Sequence, residues 1–240
     1  MDAGWARFLF DTYGIPFTVL RPSDLKTAQL QQRFDVLIFS DSSRDNLMTG
    51  VNRRGSEQFF PFYPSGYAEG MEKEGWQNVL GFIENGGTVL SWGRSVDLFT
   101  GVMEPKEPLA SFRFPVNNVS RQFAERGLSI PGSFLQLQLV PNHPLTLGMP
   151  KFTGVFHRTN PILETEIPAF GMSRRVIGHF PEGEVLLSGF IQEENLLHRS
   201  PAMVWMQRGK GNVVLYSFLP NFRGSTQASK KLIFNALLLP

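Results

Sequence analysis

No cysteine occurs in this 240-residue chain, and the groups weighed for chemistry are its four histidines with carboxylates and serines. That absence removes disulfides, thiolate zinc sites and cysteine nucleophiles together. His179-Phe-Pro-Glu182 has the His-x-x-Glu spacing of a zinc ligand pair. A full ligand set is not assembled from the other histidines, His143, His157 and His198, and Pro181-Glu182-Gly183 reads as a turn between strands. No metal and no cofactor is expected. His143 lies in Pro-Asn-His-Pro, a tight-turn composition, and His157 has no carboxylate or nucleophile beside it that would make it a base. Ser95 and Ser133 lack an assigned histidine and the Gly-x-Ser-x-Gly elbow; Ser95 is read as a helix N-cap.

The elements that would position these groups alternate between helix and strand. Trp5, Phe8, Leu9 and Thr12 fall at helical spacing, and Gly14 with Pro16 ends that helix. Residues 17–20 read as a short strand, Ser23 as the cap of a helix over 24–32, and 35–40 as a buried strand. Residues 41–71 read as a long loop, with Phe59, Phe60, Phe62, Tyr63 and Tyr67 in it; such loops are functional or mobile. Trp76, Val79, Leu80 and Ile83 mark a second amphipathic helix, 84–87 its end, 88–92 a strand and 95–100 a short helix. The second half changes to β patterning. Residues 134–140 alternate apolar with polar, and 173–180, 184–190, 202–207 and 212–218 read as further strands, the last two joined as a hairpin. Ser225 or Thr226 caps a final helix with Leu232, Ile233, Ala236 and Leu237 inward.

Composition narrows the partners. At 42% apolar content the chain can bury a core as one large domain or two small ones, and it is read as one domain over 1–240. The net charge of +2 comes from interspersed residues, too weak for a nucleic-acid footprint. No apolar run approaches the ~20 residues of a membrane span, and Asp2, Arg7 and Asp11 interrupt what a signal peptide would need.

In alternating α/β sheets, ligands gather outside the carboxyl ends of the strands. That edge should bring together Ser40, Asp41, Trp92, Arg94, Asn221 and Arg223. Arg94 and Arg223 have the chemistry to hold a carboxylate while Trp92 offers a flat apolar face; alternatively Arg223 pins its own turn through backbone carbonyls.

Two stretches resemble class I glutamine amidotransferases. The strand, turn and helix start at 86–99 stand where that family has Gly-x-Cys-x-Gly-x-Gln, with Ser91 at the first Gly, Gly93 at the Cys, Ser95 at the second Gly and Asp97 at the Gln. Phe218-Leu-Pro-Asn221 stands where the family has Phe-His-Pro-Glu. The resemblance implies a flavodoxin-like sandwich with a mainly parallel central sheet and an antiparallel β extension in the second half. It also implies a triad lost at Gly93, Leu219 and Asn221, none of which can serve as nucleophile, proton shuttle or charged partner.

A wider likeness covers nearly the whole chain. "MDAGWARFLFDTYGIPFTVL", "PGSFLQLQL" with "NHPLTLGMP", and "GKGNVVLYSFLPNFRGSTQASKKLIFNALL" resemble the amidotransferase-like domain that follows the catalytic domain in bacterial zinc carboxypeptidases. This implies a non-catalytic docking or architectural domain, periplasmic or extracellular, whose partner is a metallopeptidase catalytic domain in the same or a neighbouring chain. A homo-oligomer is the other partner considered. The family's zinc site itself is missing, since His198 follows His179 too closely. In that family a strand precedes the first helix. Its place is expected at the centre of the sheet, between strands 17–20 and 88–92, supplied by another segment or chain. Two other functions stand beside this one: a small-ligand or glycan-binding module using the crevice and aromatic loop, and an unrecognised hydrolase.

Overall fold

The computed structural model describes residues 2–54, 57–59, 64–103, 112–158 and 161–239. Helix α1 (Asp2–Tyr13) forms, but it buries Ala6, Leu9 and Phe10, and Phe8 and Thr12 of the expected set are exposed. Residues 17–20 form no strand, and Val19 is largely exposed. The next turn, Pro22–Lys26, is capped by Asp24 rather than Ser23: its carboxylate accepts the Arg21 backbone N–H at 2.7 Å and pairs with the Arg21 guanidinium at 2.9 Å. Helix α2 (Leu30–Arg33) and strand β1 (Val36–Phe39) follow.

The stretch 41–71 is more structured than its composition suggests. Ser43 Oγ accepts the Asn46 N–H and starts α3 (Arg44–Thr49), and β2 (Asn52–Arg54) pairs with β3 (Glu57–Phe59) as a hairpin. Of the aromatic residues singled out there, Phe60, Phe62 and Tyr63 lie outside the described residues. Tyr67 is exposed, with the Arg21 guanidinium 5.6 Å from its ring centre.

Beyond this come α4 (Glu72–Glu84), β4 (Thr88–Trp92), a 3-10 helix over Gly93–Phe99, and β5 (Gly101–Met103) paired with β6 (Phe112–Phe114). Then follow β7 (Val116–Asn118), α5 (Ser120–Glu125), β8 (Ser133–Leu139), β9 (Phe152–His157), β10 (Leu163–Thr165) and β11 (Met172–His179). The chain closes with β12 (Leu186–Ser188), β13 (Pro201–Arg208), β14 (Gly211–Tyr216) and α6 (Gln227–Leu237).

One mixed sheet organises these elements, in the order β1-β4-β14-β13-β11-β8-β12, with β9 also pairing β8. β1, β4 and β14 run parallel, while the five other pairings of this sheet are antiparallel. The antiparallel extension therefore outweighs the parallel part. The reason is local: β13 and β14 are joined by the tight turn at Gly209-Lys210, and a hairpin can connect only antiparallel strands.

The expected central gap is corrected. β4 has β1 on one side and β14 on the other, with the Thr88 N–H donating to the Asp35 carbonyl at 3.0 Å, so no strand fits between 88–92 and a partner at 17–20. The outer side of β1 is the end of the sheet.

Alternation along the strands divides the core between two faces. Val89, Val213 and Leu215 face α4, which buries Trp76, Val79, Leu80 and Ile83. Leu90, Trp92, Val214 and Tyr216 face the other way, against Leu9 and Phe10 of α1 and Leu232, Ile233 and Ala236 of α6. Each large apolar side chain so buried contributes about 1.5–3 kcal/mol. Among the described residues no helix is long and apolar enough to cross a membrane.

Candidate functional site

The parallel strands β1, β4 and β14 end on the same side of the sheet, and the chain leaving β4 turns there at once. Gly93 makes that turn at φ +63, in the left-handed region that glycine enters without strain. A Cβ at this position would lie 2.5 Å from Asp41 Oδ1 and 2.9 Å from Leu219 Cδ2. The side chain after β1 and the side chain after β14 thus occupy the space into which a residue at 93 would project.

Asp41 is held from two directions. Its Oδ1 accepts the Arg94 backbone N–H at 2.8 Å and Arg94 Nε at 3.0 Å, while its Oδ2 accepts Arg94 Nη2 at 2.8 Å. Its own N–H donates to Asp2 Oδ2 at 3.1 Å, and the same Asp2 oxygen accepts the Trp92 indole N–H at 2.5 Å. Burial pushes the Asp2 carboxyl above the usual range, against the lowering effect of these two N–H donors. Asn221 donates from Nδ2 to the Trp5 carbonyl at 2.7 Å, and its buried Oδ1 has no partner among the described residues.

Several expected roles change in this setting. The flat face of Trp92 is turned into the core, with 1% of the residue exposed, so it offers no surface to a ligand. Arg94 is already neutralised by Asp41. Arg223 is exposed and lies over the ring of Phe222, 5.3 Å from its centre, and Phe222 in turn stacks on Phe156 at 3.7 Å. Among the described residues it makes neither the carbonyl bonds nor an ion pair that would pin the turn. Ser95 is no N-cap, since the 3-10 helix begins at Gly93. Its Oγ lies 2.7 Å from Ser91 Oγ and 2.7 Å from the Phe39 carbonyl, which ties the end of β4 to β1. Asp97 accepts Asn118 Nδ2 at 2.6 Å, and burial raises its carboxyl.

The structure therefore brings Asp41, Gly93, Arg94 and Leu219 together, and adds Asp2 beside Asp41 and Trp5 beside Asn221, neither of which was expected at this edge. The Asp2 to Trp92 bond spans 90 positions, and no local spacing encodes it.

The histidines stand apart from this group. His143 Nδ1 accepts the Leu145 N–H at 3.2 Å, as its turn composition suggests. His157 is fully buried, its Nε2 3.2 Å from the Pro161 carbonyl, and burial pushes its pKa down to about 4. Glu182 pairs with Arg199, His198 Nε2 lies 2.9 Å from the Gly183 carbonyl, and Ser133 Oγ bonds the Phe190 backbone. Among the described residues no three metal-ligating side chains come together.

No protein-family model matches the sequence, and no curated protein matches it either. Solved structures do resemble the fold. A cytoplasmic protein from Salmonella typhimurium superposes with a TM-score of 0.51 at 12% identity, covering 98% of this chain and 85% of that one. A second cytoplasmic protein, from Salmonella typhimurium LT2, gives a TM-score of 0.51 at 12% identity over 99% of this chain and 86% of its own. A protein described as ThuA-like, from Bacteroides uniformis, gives 0.48 at 11% identity, covering 98% and 80%. At these identities the first two define a shared mixed α/β fold across almost the whole chain.

Proposed function

We propose that this chain is a flavodoxin-like, amidotransferase-like domain that performs no glutamine chemistry and serves a bacterial zinc carboxypeptidase as a docking or architectural domain. The observation that carries the reading is the filled space at Gly93. In this fold a nucleophile would stand on the turn after β4, and here Asp41 and Leu219 take that volume. A catalytic pair needs a nucleophile and a base within hydrogen-bond reach. Asp41 is instead bonded to Arg94, and neither Leu219 nor Asn221 has a titratable group that could act as a base. Such a network stiffens the sheet end without reacting. The association with a metallopeptidase, and a periplasmic or extracellular setting, rest on the sequence likeness.

Calorimetric titration of the purified chain against the catalytic domain of a bacterial zinc carboxypeptidase tests the association. Saturable binding with one-to-one stoichiometry is expected; no heat and no change in peptidase KM would count against it. A second reading, a small-ligand module at the same crevice, has one observation in its favour: the unpaired Oδ1 of Asn221. A buried acceptor without a partner costs about 1–3 kcal/mol, which a ligand donor would recover. Asn221→Leu, which removes that acceptor, should then abolish binding of any such ligand while leaving the peptidase interaction unchanged.

A further inference from the structure

Away from the parallel strand ends, the end of β8 and the loop after it enclose an open cleft of about 840 Å³, within the range of small-molecule sites. Its walls are apolar: Pro141, Pro144, Met149 and Pro150 line it, and Leu147 lies beside them with 72% of its surface exposed. A contiguous apolar wall in a concave surface with polar groups at its rim is the form that ligand grooves take.

The wall is held firmly from behind. Asn235 Nδ2 on α6 lies 3.1 Å from the carbonyls of both Leu145 and Leu147, Lys231 Nζ donates to the Gly148 carbonyl at 3.1 Å, and Thr146 Oγ1 donates to the Val140 carbonyl at 2.8 Å. The cleft is therefore built before anything enters it.

Its polar groups are uncommitted. Gln138, His179 and Lys151 all line the cleft, and their side chains make no hydrogen bond or ion pair among the described residues. Lys151 Nζ rests 5.2 Å from the centre of the Phe152 ring. His143 accepts through Nδ1, and burial lowers its pKa, so its Nε2 carries the proton and is a donor. No aspartate or glutamate is among the lining residues. Donors, one ammonium and an apolar wall together select a ligand with an apolar body and a negative group.

We propose that this cleft binds a small amphipathic carboxylate, its apolar body on the Pro141, Leu147 and Met149 wall and its carboxylate toward Lys151, Gln138 and the histidines. None of Asp41, Gly93, Arg94 and Leu219 is among its lining residues, so the site is separate from the crevice at Gly93.

Amide NMR of the full chain, titrated with 3-phenylpropionate, is the test, with 3-phenylpropanol and acetate as probes lacking the charge or the body. Phenylpropionate should give saturable shifts confined to 138–151 and 179, with the alcohol and acetate weaker by on the order of tenfold, as loss of one charge-assisted contact implies. Lys151→Ala, at an exposed position, and His179→Gln should each weaken binding several-fold without altering the rest of the spectrum. Absence of saturation up to the solubility limit would overturn the proposal. So would shifts centred elsewhere, equal affinity for the alcohol, or indifference to Lys151→Ala.

Discussion

Gly93 is where one residue type decides the most. A methyl group there meets both a left-handed backbone angle and two side chains closer than a Cβ normally tolerates. Gly93→Ala should lower stability by about 2–4 kcal/mol, the strain and the overpacking adding. Gly101→Ala provides the comparison, since its φ is also positive, +66, but among the described residues nothing lies within 4 Å of the added Cβ. If denaturant melts show the two variants equally destabilised, the plugged turn is not what this geometry indicates. His157 makes a prediction about pH. Its folded pKa, about 4, lies below the ordinary 6.5, so the unfolded chain binds the proton first as pH falls. Its contribution is complete above pH 6.5 and is lost toward pH 4, by about 3 kcal/mol in all. His157→Leu, similar in volume, should flatten that part of the stability profile; an unchanged slope would place the titration elsewhere. At this scale the expectation put Ser40, Asp41, Trp92, Arg94, Asn221 and Arg223 at one edge from the rule that parallel strand ends converge, and of these Asp41 and Arg94 are bonded there. It did not reveal that Asp41 neutralises Arg94, or that Asp2 reaches Trp92, because those depend on packing across distant elements.

Elements with a clear period were legible: α1, α4, β4, β8, the β13–β14 hairpin and α6 all fall close to where their apolar spacing put them. Residues 17–20 show the converse. Phe17, Val19 and Leu20 have β-forming side chains, but strand propensity is expressed only against a neighbouring strand, and none lies beside them. β9 was missed because Gly154 breaks its apolar pattern, and α3 because six residues hold too little periodicity to register. The cap of α6 was read correctly as Ser225 or Thr226, and Thr226 Oγ1 accepts the Ser229 N–H at 3.0 Å, with Ser229 Oγ accepting the Thr226 N–H at 3.1 Å in return. Thr226→Ala should therefore cost about 1 kcal/mol, read by thermal melting. Because α6 also braces the 145–148 loop, amide exchange of that loop should accelerate with it; protection unchanged there would mean the brace is not set by the helix start.

For the molecule as a whole, two parallel ladders and a larger antiparallel extension share one sheet, with helices on both faces. Fold class was legible from the alternation of patterns, whereas the balance of parallel and antiparallel pairing was not, since pairing direction is set by connections that span the chain. Zinc has no assembled ligand set among the described residues, so a chelator should leave the melting temperature unchanged, and stoichiometric metal in protein purified without a histidine tag would reopen His179. The turn after β4 is filled, and the central proposal is that it is chemically silent. Ammonia release from glutamine by the purified chain tests it most directly, compared with Gly93→Cys/Leu219→His/Asn221→Glu, which introduces the amidotransferase residue types but not the space. The expected result is no turnover above background in either protein, with Asp41 still bound to Arg94 in the natural chain; glutamine hydrolysis by the natural chain that survives repurification would contradict it.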